Sequence, residues 1–270
     1  MKKSFLTLLL ATQLSHAQLP QIADDDRTWL GYFIGYSERY YDFGIGSDGE
    51  HYLYAKKGRK RASTKEITIR YIIAEKIDGR WVRRKLKSTG GLESPNEKGL
   101  NPEQPVTVTT TVTGGTKVEW TYQDVKGKMI MTPKLIEKTT ENEIKIGVSF
   151  RFPSLHKFDN PIDKQELKKK FGKDIIRGIR YKDGKTVKLK LADPKANAAS
   201  EDAFKEGAIE FEFDSQSFMK RSVTVQAGPK KSGVLLVAKD RPINESITLD
   251  WMVDMEKIGT PGAHVTFWVE

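Results

Sequence analysis

The segments ITLDWMVD (247–254) and AHVTFWV (263–269), close to the end of the chain, decide the fold class. In both segments apolar side chains alternate with polar ones, which is the period of a β-strand with one buried face. The connection KIGTPG (257–262) between them is rich in turn-forming residues. The sequence therefore predicts a β-hairpin with an apolar face and a polar face.

Matching apolar to apolar residues sets the register of this hairpin, since a slip of one residue would turn every side chain to the wrong face. On the polar face, this register places Asp254 beside His264 and Asp250 beside Trp268. A carboxylate beside an imidazole orients the ring and raises its affinity for protons, as in a general acid or base. Asp254, His264 and Asp250 are therefore candidate catalytic residues. The alternative is an exposed ion pair between neighbouring strands.

Residues 1–17 have the features of a signal peptide: two lysines, a short apolar run, and small residues at Ser15 and Ala17. We expect cleavage after Ala17 and export of the mature protein to the periplasm or the extracellular space. No later segment has the roughly 20 consecutive apolar residues that a membrane helix needs. The chain contains no cysteine, so its stability has to come from a large core and not from disulfides.

The formal net charge of +10 is distributed unevenly along the chain. Lysine and arginine are concentrated at 56–87 and 164–190, whereas 24–50, 201–214 and 241–270 are net acidic. Such segregation lets positive strands pair with negative strands across a sheet. It can also create a positive surface that attracts anionic polymers.

The segment 66–87 predicts a second hairpin, which turns at Asp78-Gly79 and pairs Ile77 with Arg80. One of its faces is a positive strip that contains a tryptophan. The predicted ligand-binding residues are those of the strip together with a second tryptophan: Arg70, Lys76, Trp81, Arg83, Lys85, Lys87 and Trp268. The strip suits an anionic polysaccharide or another glycan. The alternatives are a solvated face and a face docked on an acidic segment.

The rest of the chain repeats the pattern of short alternating strands and tight turns. Two-residue turns are predicted at GG (114–115) and DG (183–184), and a helix over 160–172. A total of about twelve to fourteen strands predicts an all-β fold, an antiparallel, jelly-roll-like β-sandwich with one or two short helices. We expect a single domain over 18–270, with 160–172 as the candidate internal boundary.

Several enzyme classes are excluded by missing motifs. The chain has no His-Glu-x-x-His zinc motif, no Gly-x-Ser-x-Gly elbow, no phosphate-binding glycine loop and no cysteine nucleophile. No cofactor is expected. The one weak signal for a metal is a set of oxygen-bearing side chains that suits Ca²⁺: Asp193, Asn197, Glu201 and Asp202. The alternative is a short helix with acids near its start.

Three functions are open on the sequence. The first is an exported, non-catalytic β-sandwich that binds glycan or another anionic polymer at the cell surface or in the periplasm. The second is a carbohydrate-active enzyme, a glycoside hydrolase or a polysaccharide lyase, that uses the carboxylate and histidine pair. The third is a structural or assembly protein of the envelope. Nucleic acid is not an expected partner, because an exported protein rarely meets it.

Overall fold

The computed structural model describes residues 32–46, 48–58, 60–61, 66–87, 92–93, 105–152, 164–193, 195–215, 221–229, 233–237, 247–255 and 262–270. The predicted signal peptide and the first residues of the predicted helix, 160–163, lie outside these ranges. In the described part of the chain, no helix is both long enough and apolar enough to cross a membrane.

Eighteen strands and two helices form in the described residues, in agreement with the alternating pattern of the sequence. The strands are β1 (Tyr32–Ser37), β2 (Tyr41–Gly46), β3 (His51–Lys57), β4 (Lys60–Arg61), β5 (Ile67–Ile77), β6 (Arg80–Arg83), β7 (Leu92–Glu93), β8 (Val106–Thr111), β9 (Lys117–Val125), β10 (Lys128–Glu137), β11 (Ile144–Arg151), β12 (Ile175–Arg180), β13 (Thr186–Lys190), β14 (Ala208–Ser215), β15 (Arg221–Gly228), β16 (Val234–Val237), β17 (Thr248–Asp254) and β18 (His264–Val269). The helices are α1 (Lys164–Phe171), inside the predicted helix, and α2 (Ala196–Ala203).

The strands are joined in one large, curled antiparallel sheet, and its two halves, called the first and the second sheet, face each other across the core. This arrangement confirms the predicted all-β, sandwich-like fold. The first sheet has the order β1-β2-β3-β5-β11-β17-β16, with β4 beside β3 and β6 beside β5. The second sheet has the order β13-β12-β14-β15-β18-β10-β9-β8-β7.

Backbone pairing also joins the two sheets at two places. At one place, Ala208 of β14 pairs with Leu235 of β16. At the other, the segment 84–87 leaves β6 in the first sheet, and Leu86 pairs with Val112 directly after β8 of the second sheet. Through these pairs all the described strands belong to one curled sheet.

The predicted hairpin at the end of the chain is wrong. β17 pairs with β11 and β16 in the first sheet, whereas β18 pairs with β10 and β15 in the second. Trp251 and Phe267 are both buried, as predicted, but they enter the interior from opposite sheets. Alternation with a period of two determines which face of a strand is buried and leaves its hydrogen-bonded neighbour undetermined.

Phe267 joins the two sheets inside the core. Its ring centroid is 5.5 Å from that of Phe43 in β2 and 5.8 Å from that of Phe150 in β11. All three side chains are fully buried. Burial of one aromatic side chain contributes about 1.5–3 kcal/mol to the free energy of unfolding. These contacts between the sheets therefore supply part of the stability that disulfides supply in other proteins.

The predicted hairpin at 66–87 is confirmed by β5 and β6. Ile77 pairs with Arg80, and the turn residues Asp78 and Gly79 have positive φ angles of 49° and 76°. Two successive positive φ angles are the requirement of a type I′ turn, which matches the twist of the two strands. The tight turn fixes the position of Trp81, which lies two residues after Gly79 and pairs with Lys76.

Candidate functional site

The predicted positive strip lies along β5 and β6, on the face opposite to Ile69 and Ile73 of the core, and it includes the buried apolar residues Ile72 and Ala74. Its register is the predicted one. Three of its five cations contact carboxylates from other parts of the first sheet: Arg70 with Glu50 at 2.6 Å, Lys76 with Glu143 at 2.7 Å and Arg83 with Asp250 at 2.8 Å. In the described residues, Lys85 and Lys87 are exposed without a carboxylate partner. Much of the strip is therefore balanced in charge, as when a positive face docks on acidic segments.

A groove of about 530 Å³ opens beside the hairpin end of the strip. It lies between the tip of the β5–β6 hairpin, the connection from β10 to β11, and the end of β17. Its lining residues are Lys76, Trp81, Lys138, Glu141, Glu143, Ile144, Lys145, Asp254 and Met255. Three lysines face three carboxylates, so this Trp81 groove carries both hydrogen-bond donors and acceptors at little net charge.

Trp81 supplies the aromatic surface of the Trp81 groove and is 39% exposed. The Lys145 ammonium lies 4.5 Å from the centroid of the indole ring and 3.5 Å from Oδ1 of Asp254. The ammonium is thus held between an aromatic face and a carboxylate. A ligand that displaced it from the ring would find a flat apolar face with a donor and an acceptor beside it.

The predicted pair of Asp254 and His264 does not form. Asp254 pairs in register with Lys145 of β11 in the first sheet. His264 pairs with Gly228 of β15 in the second sheet, and its Nδ1–H donates a hydrogen bond to the Gly262 carbonyl at 3.2 Å. The two side chains belong to different sheets because β17 and β18 are not neighbours. No general acid and base pair is therefore assembled from them.

Asp250 has structural partners in place of the predicted neighbour. Its carboxylate accepts hydrogen bonds from the Ser149 hydroxyl at 2.5 Å and from Arg83 Nη2 at 2.8 Å. The residue is 6% exposed, so its oxygens are already occupied by donors in a poorly solvated place. This arrangement satisfies a buried carboxylate and offers little access to a substrate.

Trp268, the second tryptophan predicted to bind ligand, lies on β18 of the second sheet, away from Asp250. Its Nε1–H donates to Oε1 of Glu270 at 3.0 Å, and the Lys128 ammonium lies 3.9 Å from its ring centroid. Trp268 thus resembles Trp81 in having a lysine over the ring. It is not among the residues that line the Trp81 groove.

A buried polar cluster lies between the sheets. The His51 Nδ1–H donates to the Ile69 carbonyl at 3.0 Å, which leaves Nε2 to accept from the Tyr122 hydroxyl at 2.6 Å. The Tyr71 hydroxyl donates in turn to that of Tyr122 at 2.5 Å. Burial lowers the pKa of His51 from 6.5 to about 3, so the imidazole is neutral. Both ring nitrogens are used inside the core, which makes His51 a structural residue.

Three of the four residues predicted to hold Ca²⁺ lie in a helix and not in a loop. Asn197, Glu201 and Asp202 lie in α2, and Asp193 accepts a hydrogen bond from the Lys195 N–H at 2.9 Å. Across the described ranges, no group of three or more His, Asp or Glu side chains could hold a metal ion. The side chain of Asn197 lies outside the description. Calcium binding stays a prediction.

One wall of the Trp81 groove was not predicted from the sequence. That wall is the charged segment KTTENEIK (138–145), which connects β10 to β11 and includes the first two residues of β11. Its composition is visible in the sequence, but its position beside Trp81 follows from the pairing of β11 with β5, where Ile144 faces Glu75. Pairing between strands so far apart in sequence is not encoded in local alternation.

No known protein family matches the sequence, and no curated protein matches it either. Among solved structures, the Slr1438 protein from Synechocystis sp. PCC 6803 is 11% identical, with a TM-score of 0.47, over 88% of this chain and 96% of that chain. The α-N-acetylgalactosaminidase NagBb from Bifidobacterium bifidum, solved as a complex with GalNAc, is 7% identical, with a TM-score of 0.51, over 88% of this chain. The match spans 36% of the glycosidase, and at this identity it shows a shared fold alone.

Proposed function

We propose that this protein is an exported, non-catalytic β-sandwich that binds a glycan in the Trp81 groove. The observation that carries the proposal is an exposed indole in a groove whose walls combine amines and carboxylates. An aromatic face stacks on the apolar face of a pyranose ring, and charged side chains form hydrogen bonds with its hydroxyls. The groove offers both kinds of contact within one space.

The aromatic platform of the groove is held by a rigid hairpin. Trp81 lies two residues after Gly79, in a strand that begins directly after a type I′ turn, so its backbone is fixed by the hairpin. A tryptophan held in place before binding loses little conformational entropy when a ligand arrives. Large aromatic side chains that are preorganised and partly exposed are typical of binding surfaces.

The positive and negative charges of the Trp81 groove are balanced. The ammonium of Lys76 contacts Glu143 at 2.7 Å, and that of Lys145 contacts Asp254 at 3.5 Å. These pairs hold donors and acceptors in place without a strong net field. A neutral or amino sugar fits such a surface better than a polyanion does. The proposal is therefore narrower than the glycan or anionic polymer predicted from the sequence.

Two further observations support the choice of ligand and the location. The fold resembles part of a glycosidase that was solved with GalNAc, which makes neutral and amino sugars the first ligands to test. Export rests on the signal peptide predicted in residues 1–17.

The test is a binding measurement with a panel of neutral and acidic oligosaccharides, using protein that lacks residues 1–17. We expect Trp81→Ala to weaken binding of the groove ligand about 30-fold, since loss of a central aromatic contact costs about 2 kcal/mol. Trp81→Phe, which keeps an aromatic face, should recover part of the affinity.

Trp268→Ala is the matched control, because Trp268 also has a lysine over its ring but lies outside the groove. This variant should bind like the wild type. The proposal is contradicted if no oligosaccharide of the panel binds, or if Trp81→Ala retains the wild-type affinity.

A further inference from the structure

A second pocket, of about 570 Å³, lies at the other end of β5 from the Trp81 groove. β3 pairs with the start of β5 at Ile67 to Ile69, whereas the groove is lined by Lys76, near the end of β5. The pocket is formed by the turn between β1 and β2, the end of β3 and the start of β15. Its lining residues are Ser37, Glu38, Arg39, Tyr40, Lys56, Gly58 and Arg221. We call it the Tyr40 pocket.

Two guanidinium groups share the ring of Tyr40. The Cζ atom of Arg39 lies 5.0 Å from the ring centroid, and that of Arg221 lies 4.2 Å from it. In the described part of the chain, neither guanidinium has a carboxylate at ion-pairing distance. The two like charges come from different sheets and are held near one another by the same aromatic ring. Like charges brought together in this way repel each other until an anion joins them.

The floor of the Tyr40 pocket adds to the positive charge. Asp42 is 3% exposed, and its carboxylate contacts Lys56 at 3.2 Å and Arg61 at 3.0 Å. One buried carboxylate thus serves two cations. Glu38 also lines the pocket, where it accepts a hydrogen bond from the Tyr36 hydroxyl at 3.0 Å. The lining itself holds three cations, Arg39, Lys56 and Arg221, against the carboxylate of Glu38.

This surplus differs from the pairing seen elsewhere on the surface. Arg70, Arg83 and Arg177 each contact a carboxylate of a neighbouring strand or connection. Guanidinium groups are planar donors that match the oxygens of carboxylate, sulfate or phosphate. We infer that the Tyr40 pocket binds an oxyanion, which accepts hydrogen bonds from the guanidinium groups of Arg39 and Arg221.

The hairpin beside the pocket favours an oxyanion that is part of a longer ligand. Gly58 of the lining belongs to the turn between β3 and β4, where Lys57 pairs with Lys60. Both lysines are exposed. They extend the positive potential beyond the pocket, so a ligand with several acidic groups, such as an acidic oligosaccharide, gains more than a free ion does.

The experiment titrates the full mature chain with four probes at about 50 mM salt, where the attraction between exposed charges is weakly screened. The probes are inorganic sulfate, inorganic phosphate, a trimer of galacturonate and a sulfated disaccharide. We expect a multiply charged saccharide to bind best, and Arg39→Gln and Arg221→Gln each to weaken it about tenfold, because a hydrogen bond to a charged group is lost. Tighter binding of a free ion would instead identify phosphate or sulfate as the occupant.

Arg80→Gln is the matched control, because Arg80 is an exposed arginine of β6 that lies outside both sites. It should bind like the wild type, and so should Trp81→Ala, which separates this inference from the proposed groove. The inference is overturned if none of the four probes binds, if Arg80→Gln weakens binding as much as Arg221→Gln, or if Arg39→Gln and Arg221→Gln have no effect. Circular dichroism of each variant verifies that the fold is kept.

Discussion

The two ends of the sandwich manage charge in different ways. In the Trp81 groove, lysines and carboxylates are equal in number, and two of the three lysines contact a carboxylate. In the Tyr40 pocket, two arginines share an aromatic ring without a carboxylate partner in the described residues. The chemistry of a ligand is therefore set by local pairing on the folded surface. The formal net charge of +10 does not predict it.

The largest expected effect is a loss of stability at low pH, which would open the core between the two ends of the sandwich. His51 is neutral in the folded protein, with a pKa of about 3 instead of 6.5. Below about pH 6.5 the unfolded chain binds a proton that the folded protein does not bind. The free energy of unfolding should therefore fall by about 5 kcal/mol as the pH decreases from about 6.5 to about 3. Denaturant unfolding at several pH values measures it.

His51→Gln cannot titrate, so between about pH 7 and about pH 4.5 its stability should decrease by about 3 kcal/mol less than that of the wild type. His264→Gln is the control for the substitution itself, because His264 is a half-buried histidine of the second sheet that lies outside the buried cluster. Equal losses in the wild type and in His51→Gln would show that the buried imidazole is not the titrating group.

A change of salt concentration should distinguish binding at the Tyr40 pocket from binding at the Trp81 groove. Between about 50 mM and about 500 mM NaCl, the screening length falls from about 14 Å to about 4 Å. We expect the affinity of the Tyr40 pocket for an acidic saccharide to fall about tenfold, and that of the Trp81 groove for a neutral sugar to change less than about twofold. Titration calorimetry at both concentrations makes the measurement. Equal salt dependence at the two sites would remove the distinction between them.

The smallest expected effect comes from disturbing the charge balance of the Trp81 groove. Asp254→Asn leaves Lys145 without its carboxylate partner and removes one negative charge from the Trp81 groove. Because the pair is exposed, the affinity for a neutral sugar should fall only about threefold, while the Tyr40 pocket is unaffected. Glu137→Gln, which breaks the exposed pair with Lys117 outside the groove, is the control. An acidic sugar should gain affinity in Asp254→Asn and not in Glu137→Gln.

The sequence predicted the local features of the fold well. Alternation identified the buried faces around Trp251 and Phe267, and Asp78-Gly79 identified a tight turn that places Trp81 in its register. These features depend on a few neighbouring residues. They are readable because side-chain direction and turn geometry are local properties of the backbone.

The neighbours of the strands could not be predicted in the same way. A hairpin and two facing sheets would bury the apolar faces of β17 and β18 equally well. Alternation of apolar and polar residues therefore does not distinguish the two arrangements. One signal was available in Gly147 of β11, where a Cβ atom would lie 1.9 Å from the carbonyl oxygen of Trp251. An isolated glycine inside a strand indicates such a close approach of another backbone. It does not say which backbone approaches.

The pairing of Leu86 with Val112 has a consequence for the maturation of a chain without cysteine. Many exported domains hold distant segments together with covalent links that an oxidising enzyme has to install. In this chain, the distant segments are held together by hydrogen bonds between backbone amide and carbonyl groups, which form as soon as the segments meet. The protein should accordingly regain its native form in thiol-reducing buffer as readily as in oxidising buffer, independently of the redox state of its surroundings.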